Sequence, residues 1–340
     1  MESILQNFIT ERSTLLLFVF LAVMIVLLAK GADLLVDKAV EISHLAGIPK
    51  ALIGATIVSL GTTLPEASVS VMAAIEGNPG MAMGNAVGSI ICDTGLILGL
   101  GVLVKPLPLD RRIVNRQGWI QLGSGVLLIL ICLPFSHLDR VFDTGGKLPQ
   151  VGGFLLIILL GVYFFWSYRA AMRAENRESN GDTESLCWKV IVKDLCIMAV
   201  AVAVVVLSSK VLILCAEEIA HRLNVPESVI AASLVAFGTS LPELVTVMSS
   251  IRKGQGELAI GNIIGADILN VLFVAGAAAA VTQSGLSVPT DFFSTHFPVM
   301  LLLLIVFRVG ILTCKTHLNR LFGGLLLGIY LAFLCANFLF

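Results

Sequence analysis

Two copies of one short polar motif interrupt long apolar stretches of the chain. GTTLPE occupies residues 61–66, and GTSLPE occupies residues 238–243, which is 177 residues later. Each copy ends in a carboxylate, Glu66 or Glu243, within an otherwise apolar run. An unpaired carboxylate is costly in an apolar medium, so two of them at matched positions indicate a binding site for ions.

The proline of each motif adds main-chain oxygens to this chemistry. Pro65 has no N–H, so the carbonyl of Gly61 loses its helical partner, and Pro242 has the same effect on Gly238. Each helix is therefore predicted to kink or break there, exposing carbonyls that the membrane tolerates only inside protein or beside water. Carboxylates, hydroxyls and carbonyls are hard donors, which suit Ca²⁺ or Na⁺ rather than a soft metal.

Downstream of each motif, a row of residues follows at a spacing of four. The first row is Asn85, Ser89 and Asp93, and the second is Asn262, Ala266 and Asn270. This spacing places each row on one face of a helix, and glycines beside the rows let helices approach closely. For the two asparagines, the sequence leaves open both interhelical hydrogen bonding and direct ligation of an ion.

Composition places these residues in a membrane. The chain is 57% hydrophobic and 13% charged, with a mean hydropathy of +0.96, whereas soluble proteins carry roughly 25% charged residues. Bilayer-crossing helices need about 20 apolar residues each. The sequence offers ten such stretches, near 14–37, 51–75, 81–104, 118–136, 150–168, 190–216, 227–251, 258–281, 292–313 and 320–340. We therefore predict an all-α polytopic membrane protein with ten transmembrane helices.

The offset between the motifs extends over a larger internal repeat. Without any gap it aligns Pro49 with Pro226, the Gly84-Asn85 pair with Gly261-Asn262, and further glycines. The predicted halves are residues 1–174, with a repeat at about 51–104, and residues 189–340, with a repeat at about 227–281. A polar linker, 175–188, joins them. Each half holds five spans, and an odd number predicts inverted halves related by a pseudo-two-fold axis in the membrane plane.

The distribution of positive charge predicts the orientation of the chain in the membrane. Most lysines and arginines of the predicted loops fall on one side of the ten spans, which is therefore the predicted cytoplasmic side. Both termini would then lie outside. We expect inorganic cations and the lipid bilayer as partners, with no nucleic acid and no obligatory protein partner.

The segments GTTLPE…GNAVGS and GTSLPE…GNIIGA resemble the two α-repeats of the calcium/cation antiporter superfamily, most closely the sodium/calcium exchangers of the prokaryotic minimal type. The resemblance implies an antiporter of a prokaryotic inner membrane that exchanges Ca²⁺ for Na⁺ by alternating access. Ca²⁺ and Na⁺ would be transported ions, with no bound organic cofactor.

The resemblance also implies the ligands. Glu66 and Glu243 would bind Ca²⁺, together with main-chain oxygens of Thr62 and Thr239. The supporting hydroxyls would be those of Thr63, Ser240 and Ser89, and main-chain oxygens of Ser59 and Ala236 would serve flanking Na⁺ sites.

The sequence departs from the family pattern at two places. The archaeal-type exchangers usually pair an Asn in the first repeat with an Asp in the second, whereas this chain has Asp93 and Asn270. In addition, Ala266 replaces a serine that would ligate Na⁺, and Asp267 stands next to it in place of the usual Asn. Compensation by Asp267 and a supporting role for it both stay open, as does coupling to Na⁺ or to H⁺. We further hypothesise that Asp93 carries a proton in at least one loaded state.

Three other functions fit parts of the sequence. An H⁺-coupled Ca²⁺/cation antiporter would explain Ala266, and a passive cation channel could be lined by the same oxygens. A membrane protease could use Asp93 and Asp267 as an acid/base pair, but these residues occupy non-equivalent positions in the two halves, and the duplicated GTxLPE motif would have no role. We therefore predict a transporter and not an enzyme.

Overall fold

The computed structural model describes residues 8–135, 140–178, 188–223 and 238–339. The regular secondary structure of this part of the chain is helical apart from four very short strands. The helices are α1 Thr14–Leu45, α2 Lys50–Thr62, α3 Leu64–Ile75, α4 Pro79–Val104, α5 Arg111–Cys132, α6 Val141–Thr144, α7 Gln150–Glu178, α8 Trp188–Arg222, α9 Leu241–Arg252, α10 Gly256–Ala280, α11 Phe292–Thr313 and α12 Arg320–Leu339.

Six of the described helices, α1, α4, α7, α8, α10 and α11, are long and apolar enough to span a membrane, and the bent pair α2–α3 makes a seventh. The predicted all-helical membrane architecture is confirmed, whereas the count of ten is not. Helix α5 is polar near its start, with Asn115, Arg116 and Gln117. The apolar part of α12, Arg320–Ala336, is short. The predicted span 227–251 begins outside the described residues.

Apolar side chains on the outer helices point away from the protein. Leu15 of α1, Val151 of α7 and Val200 of α8 are exposed, while α4 and α10 are mostly buried between the other helices. Water would make such an apolar outer surface costly, and lipid tails would not. The chain is an integral membrane protein whose centre is formed by α4 and α10.

The sequence repeat is also a structural repeat. Helices α3 and α9 have the same length at the offset of 177 residues. Gly77 and Gly254, which the same offset aligns, both follow their helix with positive φ, at 79° and 73°. This is the left-handed conformation in which glycine commonly ends a helix. A π-helical turn also interrupts both inner helices, at Cys92–Leu98 and Asn270–Ala275.

Two antiparallel ribbons join the halves reciprocally. Strand β1, Leu107–Pro108, pairs with β4, His317–Leu318, and β2, Gly146–Leu148, pairs with β3, Leu286–Val288. Each ribbon therefore takes one strand from each half. Exchanging the halves converts one ribbon into the other, as a two-fold axis between them would do.

Helices α2 and α10 approach so closely that their contact has no room for side chains. A Cβ atom added to Gly261 would lie 2.1 Å from the carbonyl oxygen of Ala51, and one added to Gly265 would lie 2.5 Å from the Cα atom of Ala55. On the facing helix, a Cβ atom at Gly54 would lie 2.5 Å from the carbonyl oxygen of Leu258. Glycine at these three positions brings the first motif against the second repeat.

Candidate cation-binding site

The first motif breaks its helix as predicted. Helix α2 ends at Thr62, α3 begins at Leu64, and their axes differ by 46°. In the second motif, α9 begins at Leu241, and the carbonyl oxygen of Gly238, which Pro242 leaves without a helical donor, accepts a hydrogen bond of 3.3 Å from Ser209 of α8. Both breaks place polar main chain next to a buried glutamate.

The two glutamates are linked to opposite halves by equivalent hydrogen bonds. Thr63 Oγ1 donates to Glu243 Oε1, and Ser240 Oγ donates to Glu66 Oε1, each at 3.4 Å. Thr63 and Ser240 are equivalent in the repeat, as are the two glutamates, and each glutamate is only 1% exposed. The structure therefore brings both copies of the motif together at one buried point.

Several buried oxygens at this point have no hydrogen-bond donor. They include Glu66 Oε2, Glu243 Oε2, Asp93 Oδ1 and Asn270 Oδ1. Asp93 and Asn270, which are also equivalent in the repeat, meet through a hydrogen bond of 3.5 Å from Asn270 Nδ2 to Asp93 Oδ2. Within the described ranges, these carboxylates form no ion pair with lysine or arginine. A buried acceptor without a donor is costly, and a cation would satisfy these oxygens.

The groups that could ligate a cation come from several residue types. Among the described residues, no group of three or more His, Cys, Asp or Glu side chains is arranged to hold a metal ion. The site instead combines three carboxylates, those of Glu66, Glu243 and Asp93, with the hydroxyls of Thr63 and Ser240 and the side-chain amide of Asn270. This hard oxygen set suits Ca²⁺ or Na⁺ and not a soft transition metal.

Other predicted ligands of the first motif make local hydrogen bonds. The Ser59 carbonyl oxygen accepts the Thr62 hydroxyl at 3.3 Å and the Thr63 N–H at 2.9 Å, which uses both of its lone pairs. In the second motif, Thr239 Oγ1 donates to Asn85 Oδ1 at 3.2 Å. An ion bound by the Ser59 carbonyl would therefore compete with the Thr62 hydroxyl for that oxygen.

The predicted ligand Ser89 lies on α4, and its equivalent in the second repeat lies on α10. Ser89 is buried one turn before Asp93, and Ala266, its equivalent, is fully buried with no polar side-chain atom. Ala236 lies outside the described residues. The two repeats therefore differ at the centre of the protein, where the first has the Ser89 hydroxyl and the second, at Ala266, has none.

The two asparagines behave differently. Asn85 Nδ2 donates to the Glu66 carbonyl oxygen at 3.0 Å and to Ser70 Oγ at 2.9 Å, and Asn85 Oδ1 accepts from Thr239. Of the two roles that the sequence left open for Asn85, the structure shows interhelical hydrogen bonding. The amide atoms of Asn262 are buried and have no partner in the described structure, so its oxygen stays available to an ion.

Asp267 lies beside the site and has partners that sequence analysis missed. Thr94 Oγ1 and Gln121 Nε2 both donate to Asp267 Oδ2 at 2.5 Å, while Asp267 Oδ1 is buried without a partner. Gln117 and Gln121 are both 2% exposed on α5, one turn apart. Two glutamines one turn apart next to a long apolar stretch were the available signal, since buried polar side chains require partners.

Tyr163 of α7 is a second residue that sequence analysis missed. It is 4% exposed, and its hydroxyl donates at 2.9 Å to the carbonyl oxygen of Ala55. Ala55 lies in the π-helical turn Gly54–Val58 of α2, where the regular helical hydrogen bonding is interrupted. Tyr163 thus supplies a hydrogen-bond donor to a main-chain oxygen six residues before the first motif.

Tyr163→Phe is expected to lower the free energy of unfolding by roughly 1–3 kcal/mol, because a buried carbonyl would lose its donor. Thermal unfolding in detergent, followed by size-exclusion chromatography, measures this change. Tyr168→Phe on the exposed face of α7 is the matched control and should have no effect. Equal stability of the two variants would show that the Ala55 hydrogen bond contributes nothing.

Comparison with known proteins agrees with the geometry of the site. The family described as "Sodium/calcium exchanger protein" matches residues 16–169 and 193–339. The sodium/calcium exchanger MaX1 of Methanosarcina acetivorans is 29% identical, covering 94% of this chain and 98% of its own. The inner membrane protein YrbG of Escherichia coli is 31% identical, covering 94% and 96%.

Solved structures share the fold. A structure of the sodium-calcium exchanger NCX_Mj, soaked with 10 mM Na⁺ and zero Ca²⁺, superimposes with a TM-score of 0.79 at 24% identity, covering 94% of this chain and 98% of the other. The family is one of transporters, which favours exchange of cations over the protease alternative. The duplicated motifs, their meeting at one buried oxygen cluster and these matches lead to one conclusion: this chain belongs to the sodium/calcium exchanger family.

Proposed function

We propose that the protein exchanges Ca²⁺ for Na⁺ at the buried oxygen cluster. The observation that carries the proposal is the reciprocal pair of contacts, Thr63 to Glu243 and Ser240 to Glu66, which places two unpaired carboxylate oxygens in one buried site. Two carboxylates match the charge of one Ca²⁺, and the surrounding hydroxyls and main-chain oxygens can raise the coordination number toward the six to eight that Ca²⁺ takes.

The proposed ligands are those that the family resemblance implies. Glu66 and Glu243 bind Ca²⁺, with main-chain oxygen from Thr62 and Thr239. The residues proposed to support them or to bind Na⁺ are Thr63, Ser240, Ser89, Asp93, Asn270, Asp267, Ser59 and Ala236. In this proposal, a cation supplies the interactions that the orphaned oxygens of Glu66, Glu243, Asp93 and Asn270 lack.

The proposed topology has ten spans as two inverted halves, residues 1–174 and 189–340, with the linker 175–188 between them. The equivalent lengths of α3 and α9 and the reciprocal ribbons support a two-fold relation. The excess of positive charge on one side supports both termini facing outward, and the similarity to the inner membrane protein YrbG supports a prokaryotic inner membrane.

Alternating access requires one group of helices to move against another. Helices α1 and α8 lie against each other through Leu35 and Ala201, among other residues. We propose that this pair slides across the site. In the present conformation α1 is tied to the end of α9: Arg252 Nη2 lies 2.5 Å from Asp33 Oδ1, and Lys253 Nζ lies 2.6 Å from Asp37 Oδ1.

The Asp33–Arg252 contact is expected to contribute only roughly 0.5–1 kcal/mol, because Arg252 is mostly exposed. A double-mutant cycle with Asp33→Asn and Arg252→Gln, measured by thermal unfolding in detergent, should give a coupling free energy of that size. A small coupling allows the contact to break in each transport cycle. Coupling of several kcal/mol would be incompatible with sliding of α1 during transport.

Transport assays in liposomes test the proposed function. Ca²⁺ uptake by the reconstituted protein is measured under an outward Na⁺ gradient and, separately, under an outward H⁺ gradient alone. Na⁺-driven uptake is the expected result. Uptake driven only by H⁺ would establish the second candidate, an H⁺-coupled antiporter, which the missing hydroxyl at Ala266 favours. Uptake that needs neither gradient would identify a channel.

A further inference from the structure

An apolar groove lies between α5 and α7 on the outer surface of the protein. Its volume is about 380 Å³, and its lining includes Gly123 and Leu127 of α5 and Leu159, Val162 and Trp166 of α7. Gly123 and Val162 are exposed, so the groove opens toward the surrounding lipid. A Cβ atom added to Gly123 would meet nothing within 4 Å among the described residues. The groove therefore has room for an apolar chain that enters from the bilayer.

The floor of the groove touches the helices that carry the cation site. Tyr163 lines the groove and donates its hydrogen bond to Ala55, in the π-helical turn of α2. Leu272 lines the groove from α10, is 4% exposed, and lies in the π-helical turn Asn270–Ala275. A ligand in the groove would thus contact side chains that belong to, or bond with, the interrupted turns of both inner repeats.

One end of the groove carries a cation that has no counter-ion. The Cζ atom of Arg116 lies 3.9 Å from the ring centroid of Trp166. This stacking uses the face of the guanidinium group, and its N–H groups, which lie at the edge of the plane, stay available. In the described structure, Arg116 forms no ion pair with a carboxylate. Arg116 can therefore donate hydrogen bonds to an anion at the end of the groove.

The sequence around this end is basic and lacks acidic residues. Helix α5 contains no Asp or Glu, and α7 contains none before residue 175. The arginines on these parts of the two helices are Arg111, Arg112, Arg116, Arg169 and Arg173. An anion at this end would meet attraction from several charges and no repulsion from α5 or from α7 up to residue 174.

Tryptophans place the basic end at the membrane interface. Trp166 stacks on Arg116, and Trp119, about one turn after Arg116 on α5, is 55% exposed. Tryptophan is enriched where the hydrocarbon meets the lipid headgroups. The groove runs from there toward Leu127 and Leu159, which is toward the apolar part of the bilayer. The loop charges predict that this end is cytoplasmic, and basic pockets between helices on that side are suited to anionic headgroups.

We propose that the groove binds an anionic phospholipid. Its phosphate accepts hydrogen bonds from Arg116, and one acyl chain lies along Gly123 and Leu159. Through its contacts with Tyr163 and Leu272, the bound lipid supports the packing of α7 against α2 and α10. This site is separate from the cation site, and its ligand does not depend on which ion drives transport.

Native mass spectrometry of the full-length protein, titrated in detergent with phosphatidylglycerol or with phosphatidylcholine of the same acyl chains, measures the affinity for the first bound lipid. Wild type should bind phosphatidylglycerol about fivefold more tightly, the effect of roughly one basic residue near a membrane surface. Arg116→Gln should remove this preference. Arg169→Gln is the matched control, because Arg169 is exposed and stacks on Phe165, outside the groove lining; it should keep the preference.

A second pair of variants tests the acyl chain. Gly123→Leu fills the groove and should weaken binding of both lipids by about tenfold or more, since each CH₂ group kept out of an apolar site weakens binding roughly fourfold. Gly161→Leu, at an α7 glycine that also has open space but does not line the groove, should have no effect. If Gly123→Leu does not fold, Leu159→Trp fills the same groove from α7 and should weaken binding equally.

Thermal unfolding gives an independent readout. Phosphatidylglycerol should raise the unfolding temperature of wild type and of Arg169→Gln by a few degrees more than that of Arg116→Gln, because a ligand that binds the folded state stabilises it.

Equal affinity of wild type for the two lipids would overturn the proposal, since Arg116 would then select no anionic headgroup. Equal lipid binding by Gly123→Leu and Gly161→Leu would also overturn it, because the lipid would then bind outside the groove. Neither measurement involves Ca²⁺ or Na⁺, so a failure here is distinguishable from a failure of the proposed exchange.

Discussion

Glu66→Gln is expected to abolish Ca²⁺ transport. The substitution keeps the shape of the side chain but removes one of the two glutamate charges, each of which accepts a hydrogen bond from the opposite repeat, Glu66 from Ser240 and Glu243 from Thr63. Removing one partner from a buried pair of opposite charges, here the glutamate and Ca²⁺, costs roughly 3–5 kcal/mol, which corresponds to a loss of roughly 150- to 4000-fold in affinity. ⁴⁵Ca²⁺ uptake into proteoliposomes, driven by an outward Na⁺ gradient, measures the effect.

The internal repeat extends the prediction to the second glutamate. Glu243→Gln should cause an equally large loss, because Glu243 has the equivalent contact and the same burial as Glu66. Glu76→Gln is the control: this exposed glutamate directly follows α3, ten residues beyond Glu66, and its substitution should leave uptake unchanged. Full activity in either buried variant would mean that Ca²⁺ does not bind between the glutamates.

Gly261→Ala is expected to disrupt the protein as strongly as loss of a ligand. The new Cβ atom would lie 2.1 Å from the Ala51 carbonyl oxygen, and the contact is with main chain, which cannot rotate away. Overpacking commonly costs about 1–3 kcal/mol, and here α2 as a whole would have to move away from α10. Because α2 leads into Thr62 and the first motif, Ca²⁺ uptake should fall together with stability.

The control is Gly161→Ala on α7, where an added Cβ atom meets nothing within 4 Å among the described residues. It should leave stability the same or raise it by up to about 1 kcal/mol, because alanine favours helix. The yield of monodisperse protein in detergent and its thermal unfolding are measured for both variants. Equal behaviour would show that α2 and α10 do not need their close contact.

The sequence predicted those features that depend on a single residue or on a repeated motif. Pro65 removes an N–H wherever it stands in a helix, so the break between α2 and α3 could be predicted from one residue. The motif repeat predicted that Glu66 and Glu243 have matched roles. The structure adds that the two meet through Thr63 and Ser240, which confirms that both repeats contribute to one place.

Other features depend on which helices become neighbours. Gln121 of α5 and Tyr163 of α7 have no counterpart in the repeat, and their partners, Asp267 and Ala55, are distant in sequence. Nothing in the local sequence relates these residues. The predicted count of ten spans was also not confirmed. Average hydropathy over a stretch does not show where a helix begins, and α5 includes polar residues before its apolar part.

The most direct test of the account is to locate the divalent ion. Crystals of the protein soaked with Sr²⁺, an anomalous scatterer that substitutes for Ca²⁺, give a peak at the ion position. We predict one strong peak bonded to carboxylate oxygens of both Glu66 and Glu243, at distances slightly longer than the roughly 2.3–2.6 Å of calcium–oxygen bonds because Sr²⁺ is the larger ion. A peak bound by only one glutamate, or a peak elsewhere in the protein, would contradict the paired-glutamate site.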